Sequence, residues 1–429
     1  MDNSHSAVEA LLHSILKNIG FGSNTHFDIL PVQARLWLSK AYAVKTTSHD
    51  GKELNLFLKT LPGDLLRKEL FDSPVYFRNE VAFYKNVFPK FEEFQRSRIK
   101  EQEAFSAVPF CYHAFSDGEK DTIVLKNIKS DGFMMPNSRE VLGLPELHLV
   151  MRELGRFHAV SLAMKDQEPE KFKTIKDSLE ETVWNERFIE KLGKRMFTDT
   201  CEGAFRLVKE THAADSRYSV ALQRLRDNIV DVMKHQVSPN EPLSVITHGD
   251  FWVNNFMFQY SEPDVLERMC FLDFQQSRYA SPAVDVGSAL YMCMDKASRG
   301  HRDALLRSYH DSLGELMRAL GSDPDELFPF EKLEEELDKY SIYGLCNAFM
   351  NIPQALDEQE AGVDEMELLE KLNGIDINLE GIVQIIFSEL EKPFHRQTEI
   401  CKQRIVDAIE DAVDRGYLDN PETLKDKRL

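Results

Sequence analysis

The strongest chemical signal in the sequence is His248-Gly249-Asp250, which ends a strand-like apolar run from Leu243 to Ile246. Asn255 follows Asp250 by five positions, and Asp273 follows Asn255 by eighteen, at the end of a second apolar run, Cys270-Phe271-Leu272. A hydroxyl attacking phosphorus must lose its proton, and an aspartate on a loop can accept it; Asp250 fits that role. A nucleotide's phosphates need Mg²⁺ to offset their charge. Mg²⁺ prefers hard oxygen ligands, which Asn255 and Asp273 supply. A hairpin between these two residues would return the loop and the strand end to one place. Each element alone is an ordinary turn or strand end; the reading rests on their joint occurrence. His248 reads as a structural hydrogen-bonding residue of the loop, and Trp252 as a packing residue or a wall of an acceptor pocket. Asp285 begins a helix after Pro282. It reads as a buried brace of the catalytic loop rather than a plain carboxylate at a helix start.

Such a site also needs a cation on the phosphates. Lys59 ends the run Leu54-Asn55-Leu56-Phe57-Leu58-Lys59, and Glu80 lies on the helix predicted after it, where it could pair with the lysine. Lys45 is a rival, but no helix directly follows it.

The elements that must position these residues follow from periodicity. Residues 27–60 alternate in short apolar runs around the turn Asp50-Gly51 and predict three antiparallel strands, the last from Leu54 to Thr60. In that strand Leu54, Leu56 and Leu58 share one face and Phe57 and Lys59 the other. A helix is predicted over about Tyr76 to Phe94, then strands over Val108 to Phe115 and Thr122 to Ile128. Helical spacing dominates beyond residue 146, through 178–240, Ala283 to Ala319, Glu331 to Ala355 and Gly381 to Tyr417, with a β-rich island at 243–282. Acidic stretches at Glu334-Glu335-Glu336 and 357–371 read as solvated helix faces. The class is α+β: a small antiparallel-sheet lobe, then a large, mainly helical lobe. The divisions are an N-terminal amphipathic helix in 1–26, a nucleotide-binding lobe in 27–130 and a helical lobe in 131–429. The site belongs between the lobes.

The chain has 429 residues, 72 Asp and Glu against 52 Lys and Arg, and a net charge of −20. Phosphate backbones and anionic membranes repel such a chain, so neither nucleic acid nor membrane is expected as a partner. No apolar run approaches the roughly 18 to 20 residues of a membrane span. The six cysteines are scattered without a metal-ligand or disulfide spacing, which suits a reduced, cytoplasmic setting.

Several segments, in order, resemble the ecdysteroid kinase-like (CHK kinase-like) family, related to choline and aminoglycoside kinases. They are LFLKTLP (56–62), FRNEVAFYKNVFP (77–89), TIVLKNIKSDGF (122–133), LGRFHAVSLAMK (154–165), THGDFWVNNFMF (247–258) and FLDFQQSRYASPAVDVG (271–287). The resemblance implies a bilobal protein-kinase-like fold and ATP- and Mg²⁺-dependent phosphorylation of a small-molecule hydroxyl. An ecdysteroid-like sterol alcohol leads as acceptor. A choline-like amino alcohol, or a non-catalytic ligand-binding role, are the alternatives. It further implies Asp250 as base, Asn255 and Asp273 as Mg²⁺ ligands, Lys59 on the phosphates paired with Glu80, and Leu125, Lys126, Asn127 and Ile128 as the hinge beside adenine. The stretch matching the family's nucleotide-covering loop, Leu30 to Leu38, lacks Gly, and the hinge reads VLKNI where an acidic run is commoner.

Overall fold

A computed structural model describes residues 3–18, 21, 25–32, 39–61, 72–118, 120–137, 139–262, 265–357, 388 and 396–419. Helices of eight residues or more are numbered. The chain opens with α1 (Asn3–Asn18) and then builds β1 (Thr25–Pro31), β2 (Lys40–Ser48) and β3 (Glu53–Thr60). The expected Asp50-Gly51 turn joins β2 to β3, with Gly51 at φ 80°, a conformation glycine adopts without strain. With β4 (Cys111–Phe115) and β5 (Thr122–Lys126) they form one antiparallel five-stranded sheet, ordered β1-β2-β3-β5-β4.

The two faces of β3 separate as the alternation requires. Leu56 and Leu58 pack with Leu12, Ile15 and Leu16 of α1, while Phe57 turns to the main core. Two predicted strand ends move inward. Pro109 has no N–H to give a ladder, and pairing in β4 begins only at Cys111. Ile128 leaves the sheet for a 3₁₀ turn, Ile128–Asp131, which Asn127 caps.

The helix expected over 76–94 is longer and interrupted. α2 (Ser73–Ala82) runs through a π-helical turn, Phe83–Val87, into α3 (Phe88–Arg96). After β6 (Phe133–Met134) come α4 (Leu144–Gln167), α5 (Pro169–Lys176), α6 (Lys194–Thr211) and α7 (Arg217–Gln236). Residues 179–185, within a stretch expected to be helical, are not.

The island is real but is split between two ladders. β7 (Val245–Thr247) pairs with β10 (Arg278–Ala280), while β8 (Phe256–Glu262) and β9 (Val265–Phe271) form a hairpin with β6 at its edge. The expected helices beyond it are broken. Ala283 to Ala319 becomes α8 (Ala283–Met292) and α9 (Arg302–Leu320), separated by a short turn that the Asp295 side chain caps. Glu331 to Ala355 becomes α10 (Phe330–Tyr340) and α11 (Ile342–Leu356). Of residues 381–417, α12 (Glu399–Asp414) is helical, and 381–387 and 389–395 lie outside the described residues.

Glu336 is not solvated as expected: it is buried and accepts from Asn240 Nδ2 at 2.6 Å. Asp357 is buried too, and 358–371 lie outside the described residues. The arrangement is bilobal, a sheet lobe followed by a helical lobe. A ladder of aromatic rings runs from one to the other, Phe83 on Phe274 and both against Phe157.

Candidate active site

Asp250 sits on the loop between β7 and β8. That loop turns at Gly249, whose φ is 82° and where a Cβ would fall 2.0 Å from the Gln276 carbonyl oxygen. Only glycine fits there. Asp285, at the start of α8, holds the loop from behind. Its carboxylate accepts the backbone N–H of His248 at 2.6 Å and of Gly249 at 2.9 Å. Burial pushes the Asp285 carboxyl up, but the His158 bond and the neighbouring histidine charges outweigh it and hold the group below its ordinary value. Asp285 is fully buried and tied to this loop by both bonds. His248 is buried and spans the loop and the next strand. Its Nε2 lies 2.8 Å from the Leu272 carbonyl oxygen, and its Nδ1 faces the Asp250 N–H at 3.3 Å, which assigns the proton to Nε2. Burial lowers its pKa, as suits a neutral structural imidazole.

The hairpin β8–β9 does what the sequence spacing requires. Asn255 enters β8 as Phe271 leaves β9, the two strands pair Phe256 with Phe271, and Leu272 N–H donates to the Asn255 carbonyl at 2.9 Å. Asn255 Nδ2 donates to the Asp250 carbonyl at 2.8 Å and to its carboxylate at 3.1 Å. The amide nitrogen is thus spent on the loop, and the amide oxygen is the atom left for a cation. Asp273 adopts a left-handed conformation, φ 65° and ψ 66°, uncommon for a residue with a Cβ and frequent where a side chain must be aimed. Burial pushes the Asp250 carboxyl up to about 7, and the charge of Asp273 adds to the rise. A carboxylate in that range can take up a proton near neutrality.

Lys59 reaches this cluster from β3. Its Nζ lies 2.9 Å from Asp273 Oδ1 and 2.6 Å from Glu80 Oε2 on α2. Burial opposes its charge, but the two carboxylates outweigh burial and hold its pKa above the ordinary value. Burial pushes the Glu80 carboxyl up and Lys59 pulls it back. Glu80 Oε1 is buried without a hydrogen-bond partner. Lys45 pairs instead with Glu53 at the sheet surface.

Of the expected hinge, Leu125 and Lys126 end β5 and Asn127 and Ile128 begin the following turn. The Lys126 N–H donates to the Phe110 carbonyl at 2.8 Å and the Asn127 N–H to the Asn55 carbonyl at 2.9 Å. In the covering stretch, β1 ends at Pro31, and 33–38 lie outside the described residues.

Three supporting groups escaped the sequence reading. His158 on α4 lies 3.2 Å from Asp285 Oδ2 and 2.8 Å from the Tyr309 hydroxyl. Arg278 donates to the Tyr343 hydroxyl at 2.6 Å, and that hydroxyl donates to the Gly249 carbonyl at 2.8 Å. Asn79, next to Glu80, donates to the Gln275 and Ser277 carbonyls and ties α2 to the segment after Asp273. His158 lies inside a regular helical pattern, which carries no local signal of this role. Tyr343 lies too far along the chain for any local pattern to show it.

The donor set fits Mg²⁺. Mg²⁺ takes one or two protein oxygens with phosphates and waters filling the rest of its octahedron. Asp273 Oδ2 and the Asn255 amide oxygen meet that need; among the described residues no cluster of three His, Cys, Asp or Glu side chains offers an all-protein metal cage. A loop aspartate, an asparagine and a second aspartate with free oxygens, and a carboxylate-held lysine meet in one cluster.

The model of the ecdysteroid kinase-like family matches residues 34–322, more than half of the chain, and the chain belongs to that family of small-molecule kinases. No match was found among curated proteins. Among solved structures, Plasmodium vivax ethanolamine kinase is similar at 16% identity and TM-score 0.42, over 84% of this chain and 85% of that one. A GDP complex of an aminoglycoside 2'-phosphotransferase-IIIa variant is similar at 12% identity and TM-score 0.41, over 92% and 99%.

Proposed function

We propose that the chain is an ATP- and Mg²⁺-dependent phosphotransferase acting on a hydroxyl of a small molecule, with an ecdysteroid-like sterol alcohol as the leading acceptor. The observation that carries this reading is the convergence of Asp250, Asn255, Asp273, Lys59 and Glu80 through direct contacts. Mg²⁺, held by Asp273 and Asn255, would offset the phosphate charge. Lys59 would bind phosphate oxygens, and Glu80 would keep it in the cleft. Leu125 to Ile128 would border the adenine. The acceptor O–H bond breaks as its proton passes to Asp250. The oxygen bonds to the γ-phosphorus, and the bond from that phosphorus to ADP breaks. The scattered, free cysteines support a reduced, cytoplasmic setting.

The test is ATP consumption against a panel of steroid alcohols, choline and an acceptor-free control. Asp250→Asn keeps the shape and removes the proton acceptor. Turnover should fall by about 10² to 10⁴, with nucleotide affinity nearly unchanged. Near-normal turnover in this variant would remove Asp250 as the base.

A further inference from the structure

The non-helical segment 179–185, between α5 and α6, touches both halves of the site. Its Glu180 N–H donates to Asn79 Oδ1 at 2.9 Å, next to Glu80 on α2. Its Glu181 Oε2 lies 2.9 Å from Arg278 Nε, at the start of β10. Glu181 Oε1 accepts from the Val183 and Trp184 N–H groups, both at 2.9 Å, so the carboxylate is held in place by its own segment.

Arg278 is 3% exposed. Among the described residues Glu181 is the carboxylate within ion-pair distance of it, and Asp285 acts on it from farther away. Burial opposes the charge of Arg278, and its partners, Glu181 first, outweigh burial and hold its pKa above the ordinary value. The guanidinium passes the constraint on. Its Nη1 donates to the Tyr343 hydroxyl of α11 at 2.6 Å, and its Nη2 is buried without a hydrogen-bond partner. The Tyr343 hydroxyl, which Asn347 also neighbours, donates to the Gly249 carbonyl at 2.8 Å. That carbonyl belongs to the peptide that leads into Asp250. The other end of the same peptide, the Asp250 N–H, faces His248 Nδ1 at 3.3 Å.

We propose that Glu181 is a positioning residue for phosphoryl transfer: through Arg278 and Tyr343 it fixes the peptide that aims Asp250, and through the bond of its segment to Asn79 it fixes that aim relative to α2, which carries the partner of Lys59. The inference rests on the reading of Asp250 as the base and adds the chain of contacts that keeps it in register with the phosphate lysine. A planar guanidinium holds its two partners at a set separation, so a shift of Glu181 reaches the tyrosine instead of being absorbed. A base displaced by about 1 Å can lose about a hundredfold in rate.

The test is hydrogen exchange of the full chain, with ADP release from ATP and Mg²⁺ as the second readout, in Glu181→Gln, Tyr343→Phe and the double variant. Amides of residues 248–251 should exchange roughly fivefold to tenfold faster in Tyr343→Phe, with α4 and β8 unchanged. Glu181→Gln should give a similar rise and add little in the Tyr343→Phe background, since it acts through that hydroxyl. In both variants kcat should fall about tenfold or more while the KM for ATP hardly moves. Glu181→Asp keeps the charge on a shorter stem and should lie between wild type and Glu181→Gln; it takes that variant's place if Glu181→Gln does not fold. The inference falls if loop exchange in Tyr343→Phe matches wild type, if the two single losses add fully, or if the KM for ATP rises while kcat holds. If the wild type releases no ADP, loop exchange alone decides the inference, and the acceptor panel decides the kinase reading. Undiminished turnover in Asp250→Asn overturns both.

Discussion

Lys59 is the residue on which two other roles converge, because it touches Asp273 and Glu80 at once. Lys59→Ala should lower turnover by on the order of a hundredfold, as loss of a phosphate-stabilising donor does. Glu80→Ala should lower it less, since Asp273 still holds the ammonium. The double variant should be little worse than Lys59→Ala, giving a coupling of about 1 to 3 kcal/mol in a double-mutant cycle. Additive losses would show that the two act independently. Asp273→Ala should weaken nucleotide binding in Mg²⁺ and hardly change it in EDTA; equal losses in both would mark a folding defect. These residues were legible because each sits at a fixed spacing beside an apolar run. Arg278, Tyr343 and His158 were not, since their partners are distant in sequence: His158 and Asp285 are 127 positions apart.

At the scale of elements, α8 grips the catalytic loop twice. Asp285 holds it at His248 and Gly249, and the Cys293 thiol lies within hydrogen-bonding reach of the Val253 backbone. The Asp285 carboxyl is held below the ordinary 3.8, so the native state binds fewer protons than the unfolded chain around that pH. Its stabilisation is present above about pH 4 and lost as pH falls through the depressed value. Asp285→Asn should lower the unfolding midpoint at pH 7, and its gap from wild type should shrink toward pH 3. A gap independent of pH would show that the carboxylate's charge plays no part. Element types were well read where apolar spacing was regular, as in β3 and α4. They were misread where tertiary contacts break a helix, as at Ser341, or insert a π turn, as at Phe83–Val87.

Over the whole molecule, the sheet has one face on the main core and the other roofed by α1. Leu16 on α1 is 1% exposed against Val44, Leu56 and Leu58. Leu16→Ala should cost about 2 to 5 kcal/mol of local stability. Limited proteolysis should then cut the sheet lobe faster, while turnover in the cold persists. Unchanged proteolysis would mean that α1 adds nothing to the sheet. The bilobal order was legible because a run of period-two segments gives way to a run of period-3.6 segments. The crossing of α8 and α11 was not. There Gly287 and Gly344 bring two backbones so close that a Cβ on Gly344 would lie 2.3 Å from the Gly287 carbonyl. No local pattern announces such an approach.

The family match ends at residue 322, after Lys59, Glu80, Asp250, Asn255, Asp273 and Asp285 and before α10, α11 and α12. The proposed chemistry is therefore written on the stretch this chain shares with its relatives. Evolution could remodel the later helices, which back α8 through the Gly287–Gly344 approach, while the reaction is inherited intact, so long as Tyr343 keeps its bond to the Gly249 carbonyl.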